Sequence, residues 1–343
     1  MKKSYDAVIV NYNGERIIAE CLKSLLKSDL RPAKIIVFDN GSKDNSVKVI
    51  KNIRRSVWRW ENSRVSPSRS TRQAPEVILI ESEKNIGFGP ANNEATKRAK
   101  APFILFLNND IILDKKCSTE LLGWFKDNTT AILNPIIYKG WKIENNQLVY
   151  AFGAVLDRFG FNYGLYSLDG ADDLNCFSGA CFMARTDIFK KFRFEKSFFL
   201  YFEEPEMSIR LLKAGYKIAR VKKAKSYHLV SQSSPKEVEG VAFRQFYAGQ
   251  NRWFMIGKHF PVRLIFGAIS VNLLHLFYLV FFFTKNKKFK YLKLFYLAWY
   301  HFSRGLLGRS RVGIKKKLWH KKLTKPEIRN YFALKKKVFS KKV

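Results

Sequence analysis

The sequence predicts an α/β protein with a mostly parallel sheet sandwiched by helices, followed by a basic, hydrophobic helical tail. Three observations support this prediction. Apolar and amphipathic segments alternate in the first half, polar clusters follow the apolar segments, and positive charge gathers at the C-terminal end. The chain has 343 residues, of which 47% are hydrophobic. That content is sufficient for a full buried core and excludes a disordered chain.

Strand-like and helix-like segments alternate from residue 6 to residue 110. The strand-like segments are DAVIV, KIIVFD, EVILIE and FILFLNND, and the helix-like segments are ERIIAECLKSLL, SVKVIKNI and GPANNEATKRA. Short apolar strands separated by helices form parallel sheets covered on both faces. Ligands bind beyond the carboxyl ends of such strands, where this chain carries NYNG, DNGSKDNS, NIGFG and NND. The pattern therefore predicts an enzyme site at that edge.

The middle of the chain is less regular. Residues 54–75 are rich in Arg and Ser and lack periodicity, which predicts an exposed insertion. Further on, TELLGWFKDN predicts a helix and Gly140 and Gly153 predict turns. The segment CFSGACFMARTDIF leads into an acidic stretch. A short helix, EMSIRLLKAGY, should end at Gly215 as a C-cap, and KIARVKKAKSYHLV predicts an extended return toward the sheet.

The pattern of the four cysteines indicates the redox state of the cellular compartment. They show no CxxC pairing and no metal-finger spacing, so we expect reduced cysteines of a cytosolic protein: Cys21, Cys117, Cys176 and Cys181. The first apolar run, within MKKSYDAVIVNYNG, is too short for a signal peptide and predicts a buried strand.

The tail carries most of the net charge of +35. From residue 284 onward there are 20 Lys and Arg against one acid, Glu327. Residues 264–283 are long enough to cross a bilayer, but Ser270, Asn272 and His275 interrupt their apolar character. A second apolar segment, YLKLFYLAWYHFSRGLL, is interrupted by charged and polar residues.

We therefore expect a catalytic domain over residues 1–260 and a membrane-associating tail over residues 261–343. Its helices would lie in the cytoplasmic face of the cell membrane, held by aromatic residues and by attraction to anionic lipid. A single transmembrane span and a soluble helical subdomain are the alternatives.

An acidic cluster stands inside the aromatic stretch FFLYFEEPEMSIR. Glu203, Glu204 and Glu206 lie where partial burial makes charge costly. One interpretation is a helix N-terminus, because Pro205 suits a first helical position and acids complement the helix dipole. The other is a carboxylate held in a partly dry pocket as a general base.

The ordered motifs VIVNYNG, FDNGSKDNS, NIGFGPANNEA, LNND, FFLYFEEPEMSIRLLKAGYKI and YHLVSQS resemble those of family 2 glycosyltransferases with the GT-A fold. The resemblance covers about residues 4 to 260 and is strongest to the bacterial and archaeal rhamnosyltransferase-like branch. It implies inverting transfer of a sugar from a UDP- or dTDP-sugar to a hydroxyl of a glycan or polyprenyl-linked acceptor, in cell-surface polysaccharide synthesis.

The same resemblance implies a divalent cation, Mg²⁺ or Mn²⁺, bound by Asp110 and His228 and holding the donor diphosphate. Taken singly, Asp110 would be a strand-end turn and His228 a packed histidine. Asn108 stands where the family has its first aspartate. Because an amide is neutral, we expect weak metal binding without nucleotide.

For the donor nucleotide, the resemblance assigns the nucleobase to Asp39. The residues implied around the base, ribose and nucleoside are Asn11, Tyr12, Asn13, Asn85, Gly87, Phe88, Asn92 and Asn109. NIGFG also fits an ordinary strand-to-helix turn that needs glycine freedom.

The resemblance assigns the general base to Glu204. The aromatic surroundings would desolvate its carboxylate and raise its pKa. An aspartate is more usual at this position, so Glu203 and Glu206 remain candidates. Arg210 would pair with these acids or with the diphosphate.

Three other functions compete. A polyprenyl-phosphate sugar synthase would share the fold and the metal site, but its acceptor phosphate needs little deprotonation. An inactive relative would explain Asn108 and Glu204, which both depart from the family pattern. A nucleic-acid-binding arm would explain the basic tail. However, the adjacent twenty-residue apolar run has no use in RNA binding, so we expect no nucleic-acid partner.

Overall fold

A computed structural model describes residues 4–61, 74–140, 149–151, 153–165, 172–229 and 238–308. In its first half, strands β1 (Tyr5–Asn11), β2 (Lys34–Asp39), β3 (Glu76–Glu81) and β4 (Phe103–Asn108) alternate with helices α1 (Ile18–Leu26), α2 (Ser46–Glu61) and α3 (Phe88–Thr96). The four strands are parallel in the order β3-β2-β1-β4. These are the strands and helices that the sequence predicts.

Strand β1 is buried along its whole length because helices cover both faces of the sheet. Ala7 and Ile9 join the core beneath α1 and α2, whereas Val8 and Val10 join the core beneath α3. Successive side chains of a strand point to opposite faces, so one apolar run supplies two cores. A continuous apolar strand thus marks the centre of a three-layer fold.

Helix α2 continues to Glu61, and this corrects the expected insertion over residues 54–75. Residues 54–61 are helical because the apolar spacing of Ile50, Ile53 and Val57 persists through the arginine pair and packs on the core. Residues 62–73 lie outside the described part of the chain.

The second half adds parallel and antiparallel strands to the same sheet, together with a separate two-stranded hairpin. The strands are β5 (Ile111–Leu113), β6 (Thr130–Lys139), β7 (Val149–Ala151), β8 (Ala154–Leu156), β9 (Asn162–Gly164), β10 (Asp173–Leu174), β11 (Cys181–Arg185) and β12 (Lys217–His228). The helices are α4 (Cys117–Trp124), α5 (Thr186–Phe192) and α6 (Glu203–Lys213). Strand β11 lies antiparallel to β4, and the order beyond it is β6-β12-β10. Strands β8 and β9 form a separate hairpin.

Local signals for turns and helix ends also agree with the structure. Gly140 and Gly153 have φ of 110° and 111°, and Gly215 closes α6 with φ of 87°. Helix α6 begins at Glu203, so Pro205 lies at its third position rather than its first. All four cysteines are free and buried.

Three further helices follow: α7 (Val238–His259), α8 (Val262–Lys285) and α9 (Leu294–Leu307). They share one hydrophobic core, separate from the two cores of the sheet. Helices α7 and α9 cross at Gly257 and Gly305, where a Cβ would lie 2.4 Å and 2.3 Å from backbone oxygens of the other helix. The predicted boundary at residue 260 therefore falls between helices of one packed unit.

Within the described ranges, α8 is the one helix long and apolar enough to cross a membrane, with a mean hydropathy of 2.1 over its most apolar window. This finding rests on the length and composition of α8 only, and core helices of soluble proteins meet the same two criteria. Residues 309–343, which carry most of the tail's lysines, lie outside the described residues.

Candidate active site

The carboxyl ends of β1, β2 and β4 meet in a buried polar network. Asn11 donates from Nδ2 to Asp39 Oδ1 at 2.8 Å, and Asn109 donates from Nδ2 to Asn11 Oδ1 at 2.9 Å. Ser42 donates to Asp39 through both its hydroxyl and its amide, at 2.7 Å and 3.0 Å. Gly14 is required beside this network, since a Cβ there would lie 2.2 Å from Asn11 Oδ1.

The predicted nucleotide residues of this edge have different environments. Asn11 is fully buried and holds Asp39 and Asn109 in place, whereas Tyr12 is 39% exposed at the rim. Asn13 has φ of 49° and accepts the amide of Lys43 at 2.9 Å. The structure thus brings the predicted residues together at one edge, with Asn11 as the link between three strands.

The NIGFG loop is held by hydrogen bonds to the side chain of Asn85 and to the backbone of Phe199. Asn85 Oδ1 accepts from the Asn40 side chain at 3.0 Å and from the Gly87 amide at 2.9 Å. Gly87 has φ of 95°, and a Cβ would lie 2.3 Å from the Phe199 oxygen, which accepts the Phe88 amide at 2.9 Å. Asn92 is buried in α3 and donates to the Phe88 oxygen at 3.0 Å. This loop therefore supports the aromatic stretch before α6.

Asp110 and His228 come together although they are 118 positions apart. Strand β5 follows Asp110 and pairs with the end of β12. The Leu229 amide donates to the backbone oxygen of Asp110 at 3.0 Å. This register places His228 Nε2 2.9 Å from Asp110 Oδ1, and both side chains are largely buried.

These two residues fit a divalent cation as a partial ligand set. A carboxylate oxygen and an imidazole nitrogen suit Mn²⁺, and the oxygen suits Mg²⁺. The described residues contain no group of three or more His, Cys, Asp and Glu that could hold a metal ion. An ion at this pair would need further oxygen ligands from a diphosphate or from water, and the expected weak binding without nucleotide stays a prediction.

A cavity of about 400 Å³ opens beside this edge. Its size is within the range of sites for small ligands. It is lined by residues from six parts of the fold: Phe88, Asn108, Gly153, Ala154, Asn162, Gly164, Phe177, Ser178, Gly179, Ala180, Leu200, Tyr201, Phe202, Glu203, Glu204 and Ala248. Asn108 connects the cavity to Asp110, two positions further along the chain.

Glu204 lies in the cavity wall and is partly exposed. Burial of its carboxyl raises its pKa to about 7, against the lowering effect of its own amide and the amide of Gly179. Gly179 leaves no room for a side chain, because a Cβ would lie 1.8 Å from Glu204 Oε1. A carboxyl group that exchanges its proton near neutrality suits a general base.

Glu203 is 1% exposed, and among the described residues its Oε1 has no hydrogen-bond partner. Burial first, and then the charge of Glu204, raise the pKa of Glu203 well above its usual range. The shift of Glu203 is therefore in the same direction as that of Glu204, and the two adjacent carboxyls titrate as a pair. Glu204 is the better placed of the two to act as the base, because it is partly exposed in the cavity wall whereas Glu203 is buried.

Glu206 belongs to a buried ion cluster. Burial alone would raise its pKa, but Arg210, His259 and Lys258 hold it well below its usual range. Arg210 Nε lies 3.0 Å and 2.9 Å from the two carboxylate oxygens, Lys258 Nζ 3.1 Å and His259 Nε2 2.9 Å from Oε1. Glu206 thus connects α6 to α7. Of the two partners expected for Arg210, the acidic cluster and the diphosphate, the structure shows a pair with the acid Glu206.

The loop before α6 has an unusual backbone. Tyr201 and Phe202 have φ of 69° and 72°, a region that costs free energy for large side chains. Asn251 of α7 donates to the oxygens of Leu200 and Tyr201, at 3.1 Å and 2.8 Å. These two hydrogen bonds hold the loop in the conformation that places Glu203 and Glu204 in the cavity wall.

Sequence reasoning missed several residues of the cavity. The signal for Gly179 was the small-residue run SGA between two apolar segments. Asn251 and the hairpin residues Asn162 and Gly164 offered no signal, because only the tertiary fold brings them to the loop and the cavity.

Comparison with known proteins decides the family. The model of glycosyl transferase family 2 matches residues 6–193, more than half of the chain. This protein belongs to glycosyl transferase family 2. A second model, glycosyl transferase family group 2, matches residues 103–307 and therefore includes Glu204, His228 and helices α7 to α9. The rhamnosyltransferase-like branch within this family stays a prediction.

Relatives of this family 2 member include much longer enzymes. The chain is 32% identical over 131 residues to a poly(ribitol-phosphate) beta-glucosyltransferase of Bacillus spizizenii. It is 23% identical over 131 residues to the poly(ribitol-phosphate) beta-N-acetylglucosaminyltransferase TarS of Staphylococcus aureus. These matches cover 36% and 38% of this chain, but only 18% and 20% of the relatives.

A solved structure shows the fold over nearly the whole chain. The mannosyltransferase PcManGT from Pyrobaculum calidifontis, in complex with GDP-Man and Mn²⁺, has a TM-score of 0.53 at 13% identity. The match covers 99% of this chain and 82% of that one. The GT-A fold that the motifs imply is thereby confirmed.

Proposed function

We propose that this protein is an inverting glycosyltransferase that moves a sugar from a UDP- or dTDP-sugar to a hydroxyl of a glycan or lipid-linked acceptor. The observation that carries the proposal is Glu204, a carboxyl with a pKa of about 7 in the wall of a sugar-sized cavity. The named activities of the two poly(ribitol-phosphate) relatives support an acceptor in cell-surface polysaccharide synthesis.

In the proposed reaction, ionised Glu204 takes the proton of the acceptor hydroxyl as its oxygen attacks the anomeric carbon of the donor. The bond from that carbon to the diphosphate oxygen breaks, and the nucleoside diphosphate leaves with the electron pair. Attack opposite the leaving group inverts the anomeric centre and needs no covalent intermediate. A base with a pKa near the working pH suits this proton transfer.

Asp110 and His228 would hold a divalent cation, Mg²⁺ or Mn²⁺, together with the donor diphosphate. Such an ion supplies Lewis-acid stabilisation of the leaving group. Asp39 would bind the nucleobase, since Asn11 and Ser42 fix its carboxylate at the strand end. Asn109 is held by Asn11, so base and diphosphate contacts share one rigid network.

The tail helices support a membrane partner. One side of α8 packs on the protein with Asn272 and His275 inward, and its other side is apolar and exposed. The exposed aromatic and aliphatic residues of α8 and α9 include Phe266, Leu274, Phe277, Tyr278, Phe281, Phe295, Tyr296, Trp299 and Tyr300. We refer to them as the apolar face.

Charge around the apolar face favours anionic lipid. The exposed cations at the helix ends are Arg263, Lys285, Lys287, Lys290, Lys293 and Arg304. At mid-helix, Asn272 and His275 contact the Phe159 oxygen and the Arg252 guanidinium. A span would carry these polar partners to the bilayer centre at high cost, so we propose that α8 lies in the cytoplasmic membrane surface.

Thermal unfolding of the full chain in detergent tests the donor site. UDP, dTDP, GDP and CDP are each added with and without Mn²⁺. Stabilisation by a pyrimidine diphosphate that depends on metal is the expected result. Absence of a shift with all four nucleotides would contradict the proposal and favour an inactive relative.

The polyprenyl-phosphate sugar synthase is separated by its acceptor. Transfer to a polyprenyl phosphate that proceeds equally well after Glu204→Gln would favour that enzyme. Transfer to a hydroxyl acceptor that is lost with Glu204→Gln supports the function proposed above.

A further inference from the structure

The β8–β9 hairpin forms one wall of the cavity. Ala154, Asn162 and Gly164 line it, and the Ala154 amide donates to the Cys176 oxygen at 3.0 Å. Cys176 stands three residues before Gly179, whose backbone packs on the Glu204 carboxylate. Displacement of the hairpin would therefore change the shape of the cavity on the side of the general base.

The tip of the hairpin is organised around Asp157. Its Oδ1 accepts the amides of Phe159 and Phe161, both at 2.8 Å, and Tyr163 donates its hydroxyl to Oδ2 at 3.1 Å. These bonds orient the Phe159 carbonyl and the Phe161 ring together. The tip thus presents one acceptor and one aromatic face as a rigid unit.

Two helices of the tail hold that tip. Asn272 of α8 is fully buried and donates from Nδ2 to the Phe159 oxygen at 2.7 Å. The Arg252 guanidinium of α7 lies 4.2 Å from the centre of the Phe161 ring and donates to His275 Nδ1 at 2.8 Å. Burial lowers the pKa of Arg252 to about 10, so it remains a cation and stacks favourably on the ring.

The buried side of α8 is apolar except for Asn272. Its inward row repeats at three and four residues and is otherwise apolar: Ile265, Ala268, Leu276, Leu279 and Phe283. Asn272 interrupts this row and makes the contact to the hairpin. The same helix carries part of the apolar face on its opposite side.

We propose that Asn272 and Arg252 are positioning residues that connect the membrane surface to the cavity. When the apolar face docks on a bilayer, these two residues hold the β8–β9 hairpin in the conformation that binds the acceptor. The inference rests on the proposed glycosyl transfer and assigns the hairpin to its acceptor side. A membrane-bound enzyme would then have an ordered acceptor wall, and the detached enzyme a looser one.

Amide hydrogen exchange of the full chain tests the coupling without relying on activity. Asn272→Leu should speed exchange of residues 153–165 about ten-fold and leave α6 unchanged, because a buried carbonyl loses its donor. Asn286→Leu is the matched control, since Asn272 and Asn286 each donate from Nδ2 to the backbone oxygen four residues earlier, at 2.8 Å, and only Asn272 also bonds the hairpin within the described residues. Equal exchange of the hairpin in the wild type and in Asn272→Leu would overturn the proposal.

Vesicles of phosphatidylglycerol and phosphatidylcholine supply the second arm. They should slow hairpin exchange in the wild type and in Asn286→Leu, but not in Asn272→Leu. If Asn272→Leu fails to fold, Phe161→Leu removes the ring beneath Arg252 from the hairpin side and should give the same loss of response. A wild-type hairpin whose exchange ignores bound vesicles would overturn the coupling.

Kinetics separate positioning from general damage. Asn272→Leu should raise the KM for the acceptor about ten-fold while the KM for the sugar nucleotide stays constant, because the donor network lies on other strands. Equal losses for both substrates would contradict an acceptor role. If the wild type turns over no sugar nucleotide, the proposed function fails, and hydrogen exchange still decides whether the hairpin follows α8.

Discussion

The backbone of Gly179 packs directly against the carboxylate of Glu204, so that a Cβ at residue 179 would lie 1.8 Å from Oε1. The amide of Gly179 also bonds to this carboxyl and partly offsets the effect of burial on its pKa. One glycine therefore controls both the position and the proton affinity of the proposed base.

Gly179→Ala should displace the Glu204 carboxylate and lower kcat about a hundred-fold, since small misplacements of a catalytic group have effects of this order. The measurement is steady-state sugar transfer. Gly123→Ala is the control, because a Cβ at Gly123 meets nothing within 4 Å, and it should keep full activity. Unchanged kcat in Gly179→Ala would contradict the placement of the base.

The rate of transfer should depend on pH through Glu204. The base works only when ionised, and its pKa is about 7, so kcat/KM should fall as pH falls below about 7 and level off above it. Glu204→Gln should lower the rate by about 10² to 10⁴ and remove this limb of the profile. A wild-type profile that is flat between pH 5 and pH 8 would assign the proton transfer elsewhere.

Asp110→Asn and His228→Ala should each abolish the metal-dependent part of the thermal shift with nucleotide. Each removes one of the two proposed metal ligands, Asp110 Oδ1 and His228 Nε2, which lie 2.9 Å apart. Asp114→Asn is the control, since that carboxylate accepts a backbone amide at Lys116. A full Mn²⁺ response in Asp110→Asn would place the cation at other residues.

Glu206→Gln should destabilise the fold by about 3–5 kcal/mol, because it leaves the buried partners of Glu206 uncompensated. Glu20→Gln breaks an exposed pair with Lys23 and should cost less than about 1 kcal/mol. Denaturant unfolding gives both values.

Since the folded-state pKa of Glu206 is depressed, its contribution is present above the unfolded pKa of about 4.3 and is lost as pH falls below it. The gap in unfolding free energy between wild type and Glu206→Gln should therefore narrow in acid. A gap that stays constant down to pH 3 would mean that the cluster holds no ionised carboxylate.

A double substitution, Phe277→Glu with Phe281→Glu, should reduce binding to anionic vesicles more than ten-fold. Both rings are exposed, at 59% and 65%, and each buried phenylalanine contributes about 1.5–3 kcal/mol on leaving water. Cosedimentation measures the loss. Trp124→Glu, at an exposed aromatic on α4, should bind like the wild type; equal losses in both variants would argue against a specific face.

Periodic features of the fold were predictable from the sequence, and contacts between distant segments were not. The apolar run of β1 predicted a buried central strand because a strand covered on both faces shows no polar alternation. The end of α2 was misplaced, since Arg54 and Arg55 hid a helical spacing that Val57 completes. For the site, Asp110 and His228 were paired by resemblance to the family, and strand register places them in contact.

Asn251 illustrates why the rest could not be predicted. It stands fifty residues beyond the loop that it holds, on a helix whose pattern indicates only burial. Its effect depends on the positive φ of Tyr201 and Phe202, which no local propensity favours. Positions that rely on such tertiary contacts become visible only in the assembled fold.

The glycine crossing of α7 and α9 has a practical consequence for how this enzyme is produced. A chain shortened after residue 260, the natural choice for a soluble catalytic fragment, would lack the helix that touches α7 at Gly257 and covers Trp253, whose ring lies 5.4 Å from that of Trp299. Such truncation would leave a bare aromatic surface on α7, the helix that anchors the loop before the proposed base. Solubility gained by removing the tail would thus come with aggregation and a misplaced Glu204.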